Sequence, residues 1–148
     1  MIGTVPLVAG CVLLGTVAMG LIVHEWAHAA VLRLGGIDYD VSFFPGHESG
    51  PLGLLASCPW AVVRPNPTDR DPAWLLRCAA LAPALLSAPV FVAGFVGDGW
   101  LASPLATAAA IGWLACSLPS PQDFSVAFYA HRALENRRTA VASSSRAD

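Results

Sequence analysis

Residues 5–34, VPLVAGCVLLGTVAMGLIVHEWAHAAVLRL, form a long apolar run that contains small polar residues and one polar cluster, HEWAH at 24–28. A helix over this run would be about 45 Å long at 1.5 Å per residue, which is enough to cross a hydrocarbon core of about 30 Å. The pair Gly35-Gly36 then ends the helix. No positively charged segment precedes the run, so we predict a retained transmembrane helix and not a cleaved signal peptide.

The composition of the chain indicates the same class of protein. The 148 residues are 55% hydrophobic and 12% charged, whereas a soluble domain carries about 25% charged residues. This length suits one domain, predicted at 1–138 and followed by a disordered tail at 139–148. The four cysteines form no C-x-x-C pair, so we expect reduced buried thiols.

The segment that follows the first helix has a different character. IDYDVSFF at 37–44 alternates apolar and polar residues, PGHESGP at 45–51 is rich in turn residues, and LGLLASCPWAVV at 52–63 is a second possible strand. This pattern predicts a β-hairpin. The polar, proline-rich stretch RPNPTDRDP at 64–72 predicts a linker.

Two more apolar segments follow, at 73–96 and 100–118. Pro83 and Pro89 should kink the first of them, which membrane helices tolerate. A short amphipathic helix is expected at 122–138. The predicted fold class is therefore an all-α membrane protein with three transmembrane helices, a small β-hairpin between the first and second, and a short C-terminal amphipathic helix.

The arginines indicate how the chain is oriented in a membrane. With three spans, the 35–72 loop and the C-terminus share one side. All eight basic residues lie on or beside that side: Arg33, Arg64, Arg70, Arg77, Arg132, Arg137, Arg138 and Arg146. The positive-inside rule makes this side cytoplasmic. We therefore expect a multi-pass protein of the cell membrane, with its N-terminus outside and its C-terminus and HEWAH cluster on the cytoplasmic side.

The HEWAH cluster has the spacing of a metal site. On a helix, His24 and His28 lie one turn apart on nearly the same face, so both imidazoles can reach one ion. Glu25 lies beside them as a candidate general base, which is the arrangement of zinc peptidases. Ionisable residues inside a span are costly and usually functional. The alternatives are a buried polar network that joins helices and a helix end that reaches the interface.

A zinc site of this kind needs a third protein ligand. Asp123 is the favoured candidate because it follows a proline break, in an apolar segment, near the same membrane depth as His24. Its alternative role is an N-terminal cap of the last helix. His47 and Glu48 are expected to be solvated turn residues, and His131 an interfacial residue.

These two motifs resemble those of the site-2 protease family of intramembrane zinc metalloproteases. H24-E-W-A-H28 is similar to that family's first motif, and S117-L-P-S-P-Q-D123 to its second, in which an aspartate follows a proline-containing stretch. The resemblance covers residues 5–135 and implies zinc ligands His24, His28 and Asp123 with Glu25 as general base. Ser117 and Phe124 depart from the family's usual Asn and Gly. The chain would be a minimal three-helix core of the family.

The predicted function is hydrolysis of peptide bonds in membrane-embedded substrates by a zinc-bound water that Glu25 activates. One zinc per chain, the lipid bilayer and a membrane-protein or peptide substrate are the expected partners, with no nucleic acid. Two alternatives stay open: a non-catalytic, metal-binding membrane regulatory protein with the same fold, and a transporter or proton relay. The sequence leaves the oligomeric state and the identity of the metal open.

Overall fold

A computed structural model of the chain describes residues 3–43, 61–68, 70–97 and 99–144. The predicted turn with His47 and Glu48, and most of the predicted second strand, lie outside these residues. The described part is mostly helical with one small antiparallel sheet.

The first helix, α1, spans Thr4–Leu34 and follows the long apolar run closely. It ends at a glycine pair, where the Gly35 N–H still bonds the Val31 carbonyl and Gly36 takes a positive φ of 70°. A side chain adopts that backbone conformation only with strain, so glycine is suited to the position. The buried residues of α1 recur every fourth position and form one stripe: Gly20, His24, His28 and Leu32.

The predicted hairpin appears as two antiparallel strands, β1 at Tyr39–Phe43 and β2 at Ala61–Pro65. Val41 pairs with Val63, and Asp40 with Arg64. The small antiparallel pair is confirmed, but its bounds differ from the prediction. Residues 64 and 65, which the sequence predicts to be linker, belong to β2, because they pair with Asp40 and Tyr39 of β1 despite the proline.

The second apolar segment is helical in three parts. α2 spans Ala73–Leu81, a 3-10 segment spans Ala82–Ser87, and α3 spans Ala88–Val96. The change to 3-10 geometry occurs beside Pro83, which lacks the N–H that an α-helix would direct to the residue four positions earlier. Pro89 lies in the first turn of α3, where proline is tolerated.

The third predicted span is shorter than expected. A 3-10 turn at Trp100–Ala102 precedes α4, which spans only Pro104–Ser117. The last helix, α5, spans Pro121–Ser144. It therefore continues beyond the predicted end at residue 138 and into the predicted disordered tail, as far as residue 144.

Two helices within the described residues are long and apolar enough to cross a membrane, Thr4–Leu34 and Ala73–Val96. Large apolar side chains on both are exposed, including Leu34 and Phe95 at 89% each. α4 has 14 residues and is not among these candidates, since it is about 21 Å long. The third transmembrane crossing stays a prediction.

Small residues bring α4 close to α1. A Cβ atom at Gly20 would lie 2.8 Å from the Cys116 Cβ, and one at Gly112 would lie 3.0 Å from the Leu13 carbonyl oxygen. The backbones can approach this closely because neither glycine carries a side chain. This contact places the C-terminal end of α4 beside the histidines of α1.

The apolar core lies at the other side of the histidines, where α1, α2 and α5 meet. Its buried residues are Leu32, Ile37, Leu75, Leu76, Ala79, Ala130 and Leu134. α5 packs Ala130 and Leu134, one turn apart, on α2. The first turn of α5 lies next to α1, where Asp123 is close to both histidines. His24 and His28 are thus buried among these helices, whereas Trp26 of the same cluster is exposed.

Candidate metal centre

The Nε2 atoms of His24 and His28 point toward each other. Both residues are 8% exposed. Their Nε2 atoms lie 3.2 Å apart, and the rings meet edge to face. One helical turn of α1 produces this approach, as the spacing of the two residues predicts.

The other ring nitrogen of each histidine is held by a backbone carbonyl. His24 Nδ1 lies 2.7 Å from the Cys116 carbonyl oxygen, and His28 Nδ1 lies 2.7 Å from the Ala79 carbonyl oxygen. A carbonyl oxygen can only accept, so Nδ1 is the protonated nitrogen in both rings. The neutral tautomer then leaves a lone pair on each Nε2, which is the form that binds a metal.

Both carbonyls are available because a helix is interrupted beside each of them. Cys116 lies in the last turn of α4, where carbonyls have no donor four residues ahead. Ala79 is four residues before Pro83, which has no N–H to donate. Its carbonyl accepts a 3-10 bond from the Ala82 N–H and keeps a second lone pair for His28.

Asp123 completes the cluster from α5. Its Oδ1 lies 3.3 Å from His28 Nε2, and its Oδ2 lies 3.5 Å from His24 Nε2. The Asp123 carboxylate also accepts the Ser120 N–H at 2.6 Å, while the Asp123 N–H donates to the Ser120 hydroxyl at 3.2 Å. This reciprocal pair is a capping box at the start of α5. Asp123 is therefore both part of the cluster and part of the cap, with Ser120 as the cap residue itself.

The surroundings keep the Asp123 carboxyl ionised. Burial acts to raise its pKa, but the interactions of the carboxylate with His24 and Ser120 outweigh burial and hold the pKa below its usual value. An ionised carboxylate is the form that a metal ion needs.

The three side chains fit a single metal ion. One ligand atom from each of His24, His28 and Asp123 lies within 4.8 Å of the others. Around a tetrahedral ion with bonds of about 2.05 Å, ligand atoms are about 3.3 Å apart, and the two Nε2 atoms are 3.2 Å apart. Each Nε2 also has a different oxygen of the Asp123 carboxylate nearby, His28 at 3.3 Å from Oδ1 and His24 at 3.5 Å from Oδ2. Three sets of lone pairs converge here, and such a group requires a cation or a shared proton between its members. The ligand types suit zinc.

Glu25 is partly buried beside the histidines and makes a separate contact. Its Oε2 accepts the main-chain N–H of Val63, in β2, at 3.0 Å. The cluster and Glu25 line a cavity of about 780 Å³ between α1, β2 and the start of α5. Both sheet and helices thus contribute to its wall, and the cavity has room for a peptide segment.

The other residues considered as metal ligands are not part of the described cluster. His131 is exposed on α5, and its Nε2 lies 3.4 Å from the Glu135 carboxylate, away from the cluster. His47 and Glu48 lie outside the described residues. At the two positions that depart from the resembled motif, the buried Ser117 donates its hydroxyl to the Trp113 carbonyl, and Phe124 is exposed.

Sequence reasoning missed the groups that support the cluster. The carbonyls of Ala79 and Cys116 belong to apolar residues whose side chains carry no signal. Ser120 did carry one, because S120-P-Q-D123 has the capping-box spacing with proline at the first helical position. The Val63 amide could not be found without the strand register.

The chain matches no protein-family model, no curated protein and no solved structure.

Proposed function

We propose that this chain is an intramembrane zinc endopeptidase that hydrolyses peptide bonds of membrane-embedded substrates. The observation that carries the proposal is the convergence of two histidine Nε2 atoms and the Asp123 carboxylate beside a glutamate. The Nδ1 contacts of both histidines support it, because metal-binding histidines almost always donate their other N–H to a carbonyl or carboxylate.

A membrane location is supported by the exposed apolar surface of the two long helices. Large apolar side chains that face water have an unfavourable hydration free energy, and lipid removes it. The arginine distribution supports a cytoplasmic position for the 35–72 loop and the C-terminus. In this orientation the cluster lies near the cytoplasmic end of α1, and we propose a third crossing by residues 100–118.

Each site residue has a defined role in the proposed reaction. His24, His28 and Asp123 would hold zinc, which when bound acts as a Lewis acid and lowers the pKa of a coordinated water to about 7. Glu25 accepts a proton from the attacking water and later delivers it to the departing amine. The surrounding helices restrict access of bulk water to the site.

The outer edge of β2 offers a place for the substrate backbone. The Asn66 N–H, just after β2, donates to the Asp38 carbonyl at 2.7 Å. The even-numbered residues of β2 therefore direct their backbone N–H and C=O groups to β1, and odd-numbered Val63 directs its own away from β1 and toward the cavity. A peptide unwound from a membrane helix could add to this edge as an extra strand, which would bring its carbonyls close to Glu25. The alternative role of the sheet is a surface plug without substrate contact.

One observation favours a second candidate function, a non-catalytic metal-binding regulatory protein. The Glu25 carboxylate already accepts a main-chain N–H, and a base held in this way would not take part in hydrolysis. The two functions differ in one variant. If the chain is an enzyme, Glu25→Gln should abolish proteolysis and keep zinc. If it is not, neither wild type nor Glu25→Gln should cleave a substrate, and both should keep zinc.

Metal content tests the proposal first. Wild type, His24→Ala and Asp123→Ala are purified in detergent, and zinc per chain is measured by mass spectrometry. We expect about one zinc per wild-type chain and a strong loss in both variants, since each removes a ligand. His131→Ala is the matched control and should keep its zinc, because His131 lies outside the cluster.

A wild type that holds no zinc, under conditions in which other zinc peptidases keep theirs, would overturn the proposal. HEWAH would then be a polar packing cluster. Zinc retained in Asp123→Ala would instead remove Asp123 from the ligand set and leave the histidine site. With zinc established, cleavage of a reporter transmembrane segment by wild type and not by Glu25→Gln would support the enzyme over the regulatory protein.

A further inference from the structure

The contact between Glu25 and β2 joins two parts of the proposed machinery. Glu25 is the candidate base, and Val63 lies in the strand that lines the cavity. The two residues are 38 positions apart in the chain. The hydrogen bond at 3.0 Å is charge-assisted when Glu25 is ionised, which makes it stronger than an ordinary backbone bond.

The Val63 N–H is not used by the sheet. In an antiparallel pair, alternate residues direct their N–H and C=O groups to the partner strand and away from it. The bond from Asn66 to Asp38 sets the parity, so Val63 directs its backbone groups away from β1. Its N–H is therefore the group that a strand added at this edge would use.

The outer edge of β2 offers few donors. Pro65 has the same parity as Val63 and no N–H. Within the described residues, the N–H groups of the outer edge are therefore those of Ala61 and Val63. A substrate strand that pairs near the cluster must take its central hydrogen bond from Val63, which is the donor that Glu25 occupies.

We propose that the Val63 main-chain N–H is a shared donor. It positions the Glu25 carboxylate until a substrate strand pairs with β2. The N–H then donates to a substrate carbonyl instead, which releases Glu25 for proton transfer. This inference rests on the proposed function. It makes Val63 a positioning residue that acts through Glu25. The Val63 N–H cannot fully satisfy both the Glu25 carboxylate and a substrate carbonyl. Pairing of the substrate with β2 therefore makes Glu25 available as the base in the same step.

Amide hydrogen exchange tests the first half of the inference. Uniformly 15N-labelled protein in detergent is compared as wild type, Glu25→Ala and Glu25→Gln. Loss of the carboxylate should make the Val63 amide exchange about 10- to 100-fold faster, the range expected for a hydrogen bond to a charged group. Asn66 is the internal control, because its amide bonds Asp38 independently of Glu25.

Glu25→Gln keeps an oxygen acceptor and guards against loss of structure in Glu25→Ala. The Val63 amide should stay protected in Glu25→Gln, and its proton resonance should move upfield because a neutral oxygen is the weaker acceptor. An unchanged Val63 resonance in Glu25→Gln overturns the inference. Equal Val63 exchange in wild type and Glu25→Ala, with Asn66 protected in both, overturns it as well.

A model strand tests the second half. A blocked heptapeptide of alternating alanine and valine is added to Glu25→Ala, and it should restore protection of the Val63 amide. The same peptide N-methylated at every residue lacks N–H donors and should not restore it. No protection by the first peptide, or equal protection by both, overturns the transfer.

Zinc content measured on the same samples separates this inference from the proposed function. Zinc bound in wild type with no effect of Glu25 on Val63 would leave the peptidase proposal standing and reject the shared donor. Protection of Val63 by Glu25 in a chain that binds no zinc would keep the contact and remove its use in hydrolysis.

Discussion

Asp123 connects helix capping with the candidate metal centre. Its carboxylate accepts the Ser120 N–H and reaches both histidines, and its own N–H is held by the Ser120 hydroxyl. The Ser120 N–H restricts the rotamer of the side chain, and the Ser120 hydroxyl fixes the backbone that carries it. A ligand that is already oriented loses less conformational entropy on binding, so the cap should contribute to zinc affinity as well as to helix stability.

Ser120→Ala tests this coupling. The variant removes the acceptor of the Asp123 N–H and leaves the Ser120 N–H in place. We expect about 1 kcal/mol lower stability and zinc affinity lower by about 10- to 100-fold, as for other partners of metal ligands. Affinity is measured by competition with a chromophoric chelator in detergent.

Ser120→Thr keeps the hydroxyl and is the matched control, with affinity expected within a few-fold of wild type. A Ser120→Ala protein that loses stability and keeps full zinc affinity would show that the cap acts on the helix alone.

The residues of the site differ in how well the sequence reveals them. His24, Glu25 and His28 lie within five residues, so the helical period alone places them together. Asp123 could be proposed only from its proline-rich, apolar context. The two supporting carbonyls could not be predicted, because they depend on which helices are interrupted and where those interruptions meet α1.

At the level of elements, Pro83 interrupts a helix next to the Ala79 carbonyl that holds His28. It is fully buried, and it is the second residue of the 3-10 segment between α2 and α3. A proline inside a helix costs about 3 kcal/mol. At this position residue 83 has no N–H to donate, so the Ala79 carbonyl accepts the Ala82 N–H and keeps its second lone pair for His28. The interrupted helix thus orients a proposed ligand.

Pro83→Ala should separate stability from metal binding. Alanine restores the N–H that can bond the Ala79 carbonyl and favours a continuous α-helix. We therefore expect unchanged or higher helical content and thermal stability, measured by circular dichroism. Zinc affinity should fall by about 10- to 100-fold because His28 loses part of its orientation.

Pro89→Ala is the control for this experiment, since Pro89 lies in the first turn of α3 and should not affect zinc. Equal zinc affinity in Pro83→Ala and wild type would show that the His28 contact does not depend on the interrupted helix.

For the whole molecule, the cluster of His24, His28 and Asp123 forms only if the chain after residue 96 returns to the end of α1 that carries HEWAH. The segment 73–96 leads away from that end, and Asp123 lies back at it. Residues 100–118 must cover this distance, and the close packing of α4 on α1 at Gly20 shows the route. We propose this return as the third crossing, even though α4 itself is short.

Cysteine labelling tests the topology. In a protein with its four native cysteines replaced, single cysteines are placed at exposed Thr68 or Ser103, and a fluorescent protein is fused to the C-terminus. We expect an impermeant maleimide to label Ser103→Cys in intact cells and Thr68→Cys only after permeabilisation, with the fusion fluorescent in the cytoplasm.

Labelling of Thr68→Cys and Ser103→Cys from the same side would reject the crossing by residues 73–96. A C-terminus on the side of Ser103 would reject the third crossing.

The sequence by itself determined the features that depend on neighbouring residues. These are the long apolar helix with its end at the glycine pair, the pairing of two short strands, and the placement of two histidines on one turn, all of which follow from local periodicity and turn chemistry. Tertiary structure decided the rest: the approach of Asp123, the carbonyls that hold the histidines, and the bond from Val63 to Glu25. Those contacts join residues that are 38 to 99 positions apart in the chain, from Val63–Glu25 to His24–Asp123, so they exist only after the helices pack. Packing is set by small residues and interrupted helices acting together, and no single stretch of sequence contains that information.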